Sequence, residues 1–159
     1  MLTPAERQQR IEVIRQFPAR LETLVNSLNE EQLSTEYIPG EWTVRQIVHH
    51  LPDSHMNSFI RLKLILTMDY PTLQPYPQEL WALLPDVEKT PVSVSLRLLS
   101  ALHERWCILF ESLTDEQWAR KGYHPENGDM TPDDLLVTYS DHCDNHWEQI
   151  TRTLAAAPA

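Results

Sequence analysis

The sequence predicts an all-α protein, organised as one four-helix-bundle domain over residues 1–159, with a long crossover connection between the second and third helices. Glycine is rare, with 3 residues in the chain, while Leu, Glu, Gln and Arg are abundant. This composition favours helices over a turn-rich sheet protein. Four long segments carry apolar side chains at helical spacing, and helices of that length are typical of a bundle in which each helix buries one face.

The first two helices each begin at a threonine that is suited to cap a helix. Thr3 is followed by Pro4, which fits the first helical turn, and apolar side chains recur at helical spacing as far as Leu28. Thr43 and Gln46 form a capping box for the second helix. We therefore expect helices over about residues 3–28 and 43–66.

The connection after the second helix is long and irregular. Residues 68–91 contain five prolines among aromatic and acidic side chains, and they predict one short helix around residues 78–84. Connections of this length in a compact domain tend to be functional or to cross the bundle. We therefore predict a crossover here instead of a plain up-down-up-down topology.

The last two helices are separated by a second irregular segment. A wide apolar stripe predicts the third helix from Val92 to about Leu113. Residues 114–130 are rich in turn formers, including an Asn-Gly pair at 127 and 128. Thr131, with proline after it and acids in the next positions, predicts the start of the fourth helix, which we expect to run to about residue 154.

Composition and charge exclude several classes of partner. The formal net charge is −10, and such an acidic chain lacks the cationic surface that binds phosphate backbones, so we expect no nucleic acid partner. Cys107 and Cys143 are far apart and in no metal or redox spacing. The N-terminus is too polar for a signal sequence, and no apolar run approaches the length of a membrane span. We expect a cytoplasmic protein with no membrane partner.

Two histidines four residues apart on the fourth helix form a candidate metal-binding pair. His142 and His146 share one helix face with the apolar stripe, so both rings can reach one ion. Zinc metalloproteases have a glutamate directly after the first histidine of such a pair, whereas this chain has Cys143. The metalloprotease interpretation is therefore weak, and the pair needs a third ligand from elsewhere.

The second helix offers that ligand. His50 lies on the margin of the apolar stripe and shares a polar strip with Asp53, Ser54 and Asn57, while His55 is predicted to lie off this strip. A buried polar strip requires partners, and a metal ion with ordered waters supplies them.

We therefore predict a metal site formed by His50, His142 and His146. Three neutral histidines with an open position are typical of a catalytic site instead of a closed structural one. Two alternatives remain open: His103 on the third helix competes as third ligand, and a single inward histidine is more often a hydrogen-bonded core residue than a ligand. A di-iron carboxylate site is excluded, since none of the seven histidines follows a glutamate by three positions.

Several long stretches carry a resemblance to a known family. "GEWTVRQIVHHLPDSHMNSFIRLKLILT", "PYPQELWALLPD", "LLSALHERW" and "HPENGDMTPDDLLVTYSDHCDNHW" occur in this order and resemble the YfiT branch of the DinB-like metalloenzymes across most of the chain. The resemblance implies a crossed-over four-helix bundle, a homodimer, and a divalent metal held by three histidines. The family motif falls on His50 and on the pair His142 and His146, the same trio that the helix faces predict.

The resemblance also implies the activity. It indicates a metal-dependent hydrolase that uses the three-histidine site to activate water for attack on a small-molecule substrate. The first alternative is a metal-dependent S-transferase that conjugates a low-molecular-weight thiol such as bacillithiol to electrophiles, and the second is a non-catalytic metal-binding stress protein. Three imidazoles favour Zn²⁺ first and Ni²⁺ next.

Three further side chains on the second helix are candidate catalytic residues. Asp53 and Asn57, one and two turns beyond His50, are predicted to orient the ligands or the substrate, with solvated-face residues as the alternative. Arg61 continues the same strip and is predicted to bind a substrate carboxylate or phosphate, with a surface ion pair as the alternative.

Overall fold

The computed structural model describes residues 1–158 and is built on four long helices. These are α1 (Pro4–Val25), α3 (Val44–Thr67), α6 (Val92–Glu111) and α8 (Pro132–Ala155). Four short helices lie between them: α2 (Glu30–Ser34), α4 (Gln78–Trp81), α5 (Pro85–Lys89) and α7 (Asp115–Trp118). Two short strands, β1 (Gly122–His124) and β2 (Gly128–Met130), complete the fold. The predicted all-α four-helix bundle is confirmed.

Side-chain caps fix the start of three of the long helices. Thr3, Thr43 and Thr131 each accept a hydrogen bond from a backbone N–H three residues later, and the side chain at that later position bonds back to the cap. Such capping boxes satisfy donors that a helix start otherwise leaves unpaired. The first helix ends at Val25 instead of Leu28 because the chain turns there and a new capping box starts α2 at Asn29.

Contacts between helices establish their directions. His49 bonds to Ser95, and His55, later on α3, bonds to His103, later on α6. Helices α3 and α6 are therefore parallel neighbours. His50 lies beside His146, and Ser54 bonds to Tyr139, so α3 and α8 are antiparallel. The 68–91 connection therefore returns along the length of the bundle, as the predicted crossover requires.

The other two connections cross the bundle diagonally. Helix α1 packs against α6 and α8, and α3 packs against the same two helices from the opposite side. Consecutive long helices on either side of the 26–43 and 112–131 connections are therefore diagonal partners. The ring order is α1, α6, α3, α8, and it brings α3 and α8, the two histidine-bearing helices of the sequence prediction, into direct contact.

A β-hairpin closes one end of the space between α3 and α8. The two strands pair in antiparallel register, with Gly122 opposite Met130 and His124 opposite Gly128, whose positive φ of 75° suits glycine. Backbone hydrogen bonds tie Tyr123 to Pro71 and Leu73 of the crossover connection. The sequence predicted only turns here, and the hairpin carries His124 into the interior.

No helix in the part of the chain that the structure describes is long and apolar enough to cross a membrane.

Candidate metal centre

Three imidazole nitrogens converge where α3 and α8 meet. The Nε2 atom of His142 lies 3.3 Å from Nε2 of His50 and 3.1 Å from Nε2 of His146. One ring nitrogen from each residue falls within 4.8 Å of the others. His50 is buried, and the two histidines of α8 are half-buried. The pair predicted from spacing and the histidine predicted from the facing helix are thus brought together.

The outer ring nitrogens of these histidines have their own acceptors. Nδ1 of His146 lies 2.8 Å from Oε1 of Gln149, and Nδ1 of His142 lies 2.9 Å from Nε2 of His55. Nδ1 of His50 has the Tyr76 hydroxyl at 3.5 Å, the long limit of a hydrogen bond. With a proton on each Nδ1, each ring carries an unprotonated Nε2, and those of His50 and His146 lie 3.3 and 3.1 Å from that of His142.

The tautomer of His142 follows from a chain of buried histidines behind it. The Ile14 carbonyl oxygen can only accept a hydrogen bond, so Nδ1 of His103, 2.6 Å away, must carry the proton and donate it. Nε2 of His103 then accepts from Nδ1–H of His55 at 2.7 Å. Nε2 of His55 in turn accepts from Nδ1–H of His142. We call this sequence of hydrogen bonds, from His142 through His55 and His103 to Ile14, the histidine chain.

Burial keeps these imidazoles neutral. Loss of solvation lowers the pKa of His50 to about 3 and that of His103 to about 4. Burial, together with the neighbouring histidines, holds the pKa values of His55 and His142 well below the ordinary range, and burial also lowers the pKa of His146. Neutral imidazole is the form that binds metals.

The donor set fits a divalent metal. Three bare lone pairs facing one another repel unless a cation lies between them. Zinc–nitrogen bonds of 2.0–2.1 Å in tetrahedral geometry place two ligand nitrogens about 3.4 Å apart. The two distances from His142, 3.3 and 3.1 Å, are close to this value, and all three nitrogens lie within 4.8 Å of one another. Nitrogen donors without a carboxylate among them also suit nickel, cobalt and iron.

A cavity of about 480 Å³ reaches the trio at His142, and its volume is within the usual range for small-molecule sites. His142 forms part of its wall, beside Tyr139 and Ser54. Tyr76 and the residues after it come from the crossover connection, and His124 comes from the hairpin. The irregular segments on either side of α6 in the sequence therefore form the outer walls of the site.

The three candidate catalytic residues of α3 have different surroundings. Asn57 donates to the backbone carbonyl of Asp53 in its own helix at 2.9 Å. Burial, with a smaller contribution from Asp86, raises the pKa of Asp53 to about 6. Neither residue lines the cavity at His142, whereas Arg61 does. Catalytic roles for Asp53 and Asn57 stay predictions that the cavity does not support.

His55 has a different place from the one that sequence reasoning gave it. It was expected to lie off the inward strip, but it is fully buried and contacts His142 directly. Its position, four residues after Leu51 and three before Ser58, puts it on the core stripe of α3, and that signal was available in the sequence. His103 is equally buried, but it meets His55 and not the converging nitrogens, so it does not replace His50.

Comparisons with known proteins identify the family. A model of the DinB superfamily matches residues 14–150. A Bacillus subtilis (strain 168) protein named "Putative metal-dependent hydrolase YfiT" is 42% identical over 151 residues, which are 94% of this chain and 85% of that protein. Proteins of Oceanobacillus iheyensis and Bacillus cereus with the same descriptive name are 43% and 45% identical over 141 residues, covering 89% of this chain and 81% of each of them.

A solved structure extends the likeness to the fold. YfiT from Bacillus subtilis superposes with a TM-score of 0.92 at 41% identity, over 96% of this chain and 88% of that one. It is described as "a probable metal-dependent hydrolase with an unusual four-helix bundle topology". The resemblance expected from the quoted stretches is confirmed, and the chain belongs to the DinB superfamily.

Proposed function

We propose that this protein is a metal-dependent hydrolase of a small-molecule substrate, with His50, His142 and His146 as ligands of one divalent metal ion. The observation that supports the proposal most strongly is the convergence of three imidazoles, one of which, His142, lines a cavity. The descriptive names of the relatives point the same way. Zinc is our first choice of metal and nickel our second, because three neutral imidazoles suit both.

The protein residues have separable tasks in this proposal. A divalent ion held by the three imidazoles would supply Lewis acidity, which serves to activate water and to polarise the bond to be cleaved. His142 is held in its metal-binding tautomer by the histidine chain, and Gln149 does the same for His146. Tyr76 and Tyr139 place hydroxyl groups in the cavity wall, where they can orient the substrate.

Metal content tests the site directly. Wild-type protein purified without added metal is expected to hold about one zinc or nickel ion per chain by elemental analysis. The variant H142A is expected to hold almost none. His49→Gln is the matched control: His49 is also buried on α3, but it bonds to Ser95 and the Thr90 carbonyl. Equal metal content in wild type and H142A would overturn the site.

Turnover without a thiol tests the reaction. Release of acid from a panel of esters and amides, abolished by chelation and restored by zinc, supports hydrolysis. Turnover that requires bacillithiol, mycothiol or glutathione together with an electrophile would assign the protein to the S-transferases instead. Metal binding without either reaction would favour a non-catalytic metal-binding protein.

We also propose that the protein forms a homodimer. Leu80, Leu83 and Leu84 in the crossover connection leave about half or more of their side chains exposed, and clustered apolar exposure is common at protein interfaces. Light scattering after size-exclusion chromatography tests this, and replacing Leu83 by glutamate is expected to shift the protein to monomer if these residues form the interface.

A further inference from the structure

A second cluster of donors lies in the cavity, away from the histidine trio. Arg61, near the C-terminal end of α3, is 9% exposed and lines the cavity wall. Among the ion pairs of residues 1–158, none includes Arg61, although the chain carries 23 acidic residues. A buried guanidinium without a counter-charge is unfavourable, so its presence requires an explanation.

The hydrogen bonds of Arg61 leave one edge of the guanidinium free. Nε and Nη2 both donate to the Gln74 carbonyl, at 3.2 and 2.6 Å. Arginine has five N–H donors, so both protons of Nη1 and one of Nη2 have no acceptor within the described chain. This is the edge that forms paired, parallel hydrogen bonds with a carboxylate.

His124 adds a second donor to the same wall. It is 3% exposed, and its Nδ1 accepts from the backbone N–H of Glu126 at 3.3 Å. In neutral imidazole the proton then lies on Nε2. Burial, followed by the charge of Arg61, lowers the pKa of His124, which favours this neutral form. Nε2–H has no partner in residues 1–158 and is available to a ligand in the cavity.

The rest of the wall favours a carboxylate over a phosphate. Leu135 and Met130 give the cavity apolar surface. Glu79 and Glu126 also line it, and both are exposed at the rim. The single positive charge of Arg61 matches the single negative charge of a carboxylate, and repulsion from the two glutamates at the rim disfavours the higher charge of a phosphate.

The positions along α3 set the shape of the ligand. Arg61 follows His50 by 11 residues, which puts it on nearly the same helix face but about 16 Å further along the axis. The Arg61 side chain and His142 line the same cavity from separate positions, so a ligand that contacts both carries its anionic group apart from the bond that reacts.

We propose that Arg61 and His124 form a carboxylate-binding subsite, and that the substrates are elongated carboxylic acids with the hydrolysed amide or ester group remote from the carboxylate. The subsite stands on its own residues, while its link to cleavage rests on the proposed hydrolase function. Arg61 binds the carboxylate through the free edge, His124 donates a third hydrogen bond, and the apolar wall contacts the connecting chain.

Hexanoate and its neutral counterpart hexanamide test the subsite in the purified full-length protein. Titration followed by calorimetry and by amide chemical shifts is expected to show hexanoate binding at least tenfold more tightly than hexanamide. The shifts should fall on the C-terminal half of α3 and on the hairpin. Arg61→Gln is expected to reduce the affinity for hexanoate to that for hexanamide, and R61K to leave an intermediate affinity. The control R97Q removes an exposed arginine of α6 and should change nothing.

The variant H142A separates the subsite from the metal. Hexanoate binding that persists in H142A and is lost in R61Q supports the subsite, even if the protein proves to hold no metal or to hydrolyse nothing. Binding that is lost in H142A and kept in R61Q would mean that the metal alone holds the carboxylate, and it would overturn the proposal. Equal affinity of wild type for hexanoate and hexanamide would also overturn it, without reference to any variant. Tighter binding of inorganic phosphate than of hexanoate would overturn the assignment to carboxylates.

Discussion

His55→Phe should weaken metal binding although His55 is not among the proposed ligands. In the wild type, Nε2 of His55 accepts a hydrogen bond from Nδ1–H of His142, with the two nitrogens 2.9 Å apart. Phenylalanine fills the buried volume but cannot accept a hydrogen bond. The tautomer of His142 with its proton on Nε2 then becomes competitive, and that proton occupies the lone pair needed for the metal.

The expected loss of metal affinity follows from the hydrogen bond that H55F removes. Loss of a hydrogen-bond partner behind a metal-binding histidine lowers metal affinity by about 10–100-fold, or about 1.4–2.7 kcal/mol. The substitution also leaves Nε2 of His103 without its donor at 2.7 Å. Each buried group left unpaired reduces stability by about 1–3 kcal/mol. We therefore expect H55F to lose both zinc affinity and stability of the metal-free protein.

Competition with a chromophoric chelator at pH 7.5 measures zinc affinity, and urea unfolding of metal-free protein measures stability. H49F is the matched control, because His49 is buried on the same helix and loses two hydrogen bonds, to Ser95 and to the Thr90 carbonyl. It should lose stability but keep its zinc affinity. His55→Gln retains an acceptor and should recover part of the affinity. If zinc binds H55F within threefold of wild type, the histidine chain does not set the tautomer of His142.

Three further predictions concern stability. Burial raises the pKa of Asp53 to about 6 in the folded protein, so above pH 6 the charged carboxylate destabilises the folded state relative to the unfolded state. D53N should therefore be more stable than wild type by about 1 kcal/mol, after allowance for partial exposure. That advantage should disappear as the pH falls to about 4, and urea unfolding at pH 7.5 and 4 measures it; an equal advantage at both pH values would contradict the assigned pKa. Asp133→Ala removes a buried carboxylate and both hydrogen bonds that the half-buried Arg7 guanidinium donates to it. It should lower the free energy of unfolding by about 3 kcal/mol, measured in urea, and a loss below 1 kcal/mol would show that Arg7 finds another partner. Gly122→Ala places a methyl group 3.0 Å from the Leu73 side chain and should reduce stability by about 2 kcal/mol; faster exchange of the Leu73 amide locates the damage in the hairpin contact, and unchanged exchange would argue against it.

Local signals in the sequence were sufficient for the helices and for the pair His142 and His146, and they suggested His50 as third ligand while leaving His103 open. Capping boxes at Thr3, Thr43 and Thr131 act within one helical turn, so they can be recognised without knowing the fold. The spacing of His142 and His146 is likewise local. His50 was predicted from the polar margin of its helix, and the antiparallel contact of α3 with α8 brings it to the pair. Metal binding by the trio stays a prediction.

The donors and acceptors around the site depended on tertiary structure. The sequence offers no local reason for His55 to meet His103, or for His103 to donate to the Ile14 carbonyl, because these partners lie on three different helices and 48 and 89 residues apart. The hairpin was also missed, since strands of three residues leave almost no periodic signal.

The sequence by itself determined the helices, their caps and the placing of His142 and His146 on one helix face, because each of these rests on spacing within a single element. Only the tertiary structure decided which nitrogen of each ring faces the other two histidines and which side chains line the cavity. Helix α3 packs between α6 and α8, which places His55 against His142. Backbone hydrogen bonds join the hairpin to the crossover connection, and His124 of the hairpin lines the same cavity as Arg61. Those arrangements arise from contacts between distant parts of the chain, and no local pattern encodes them.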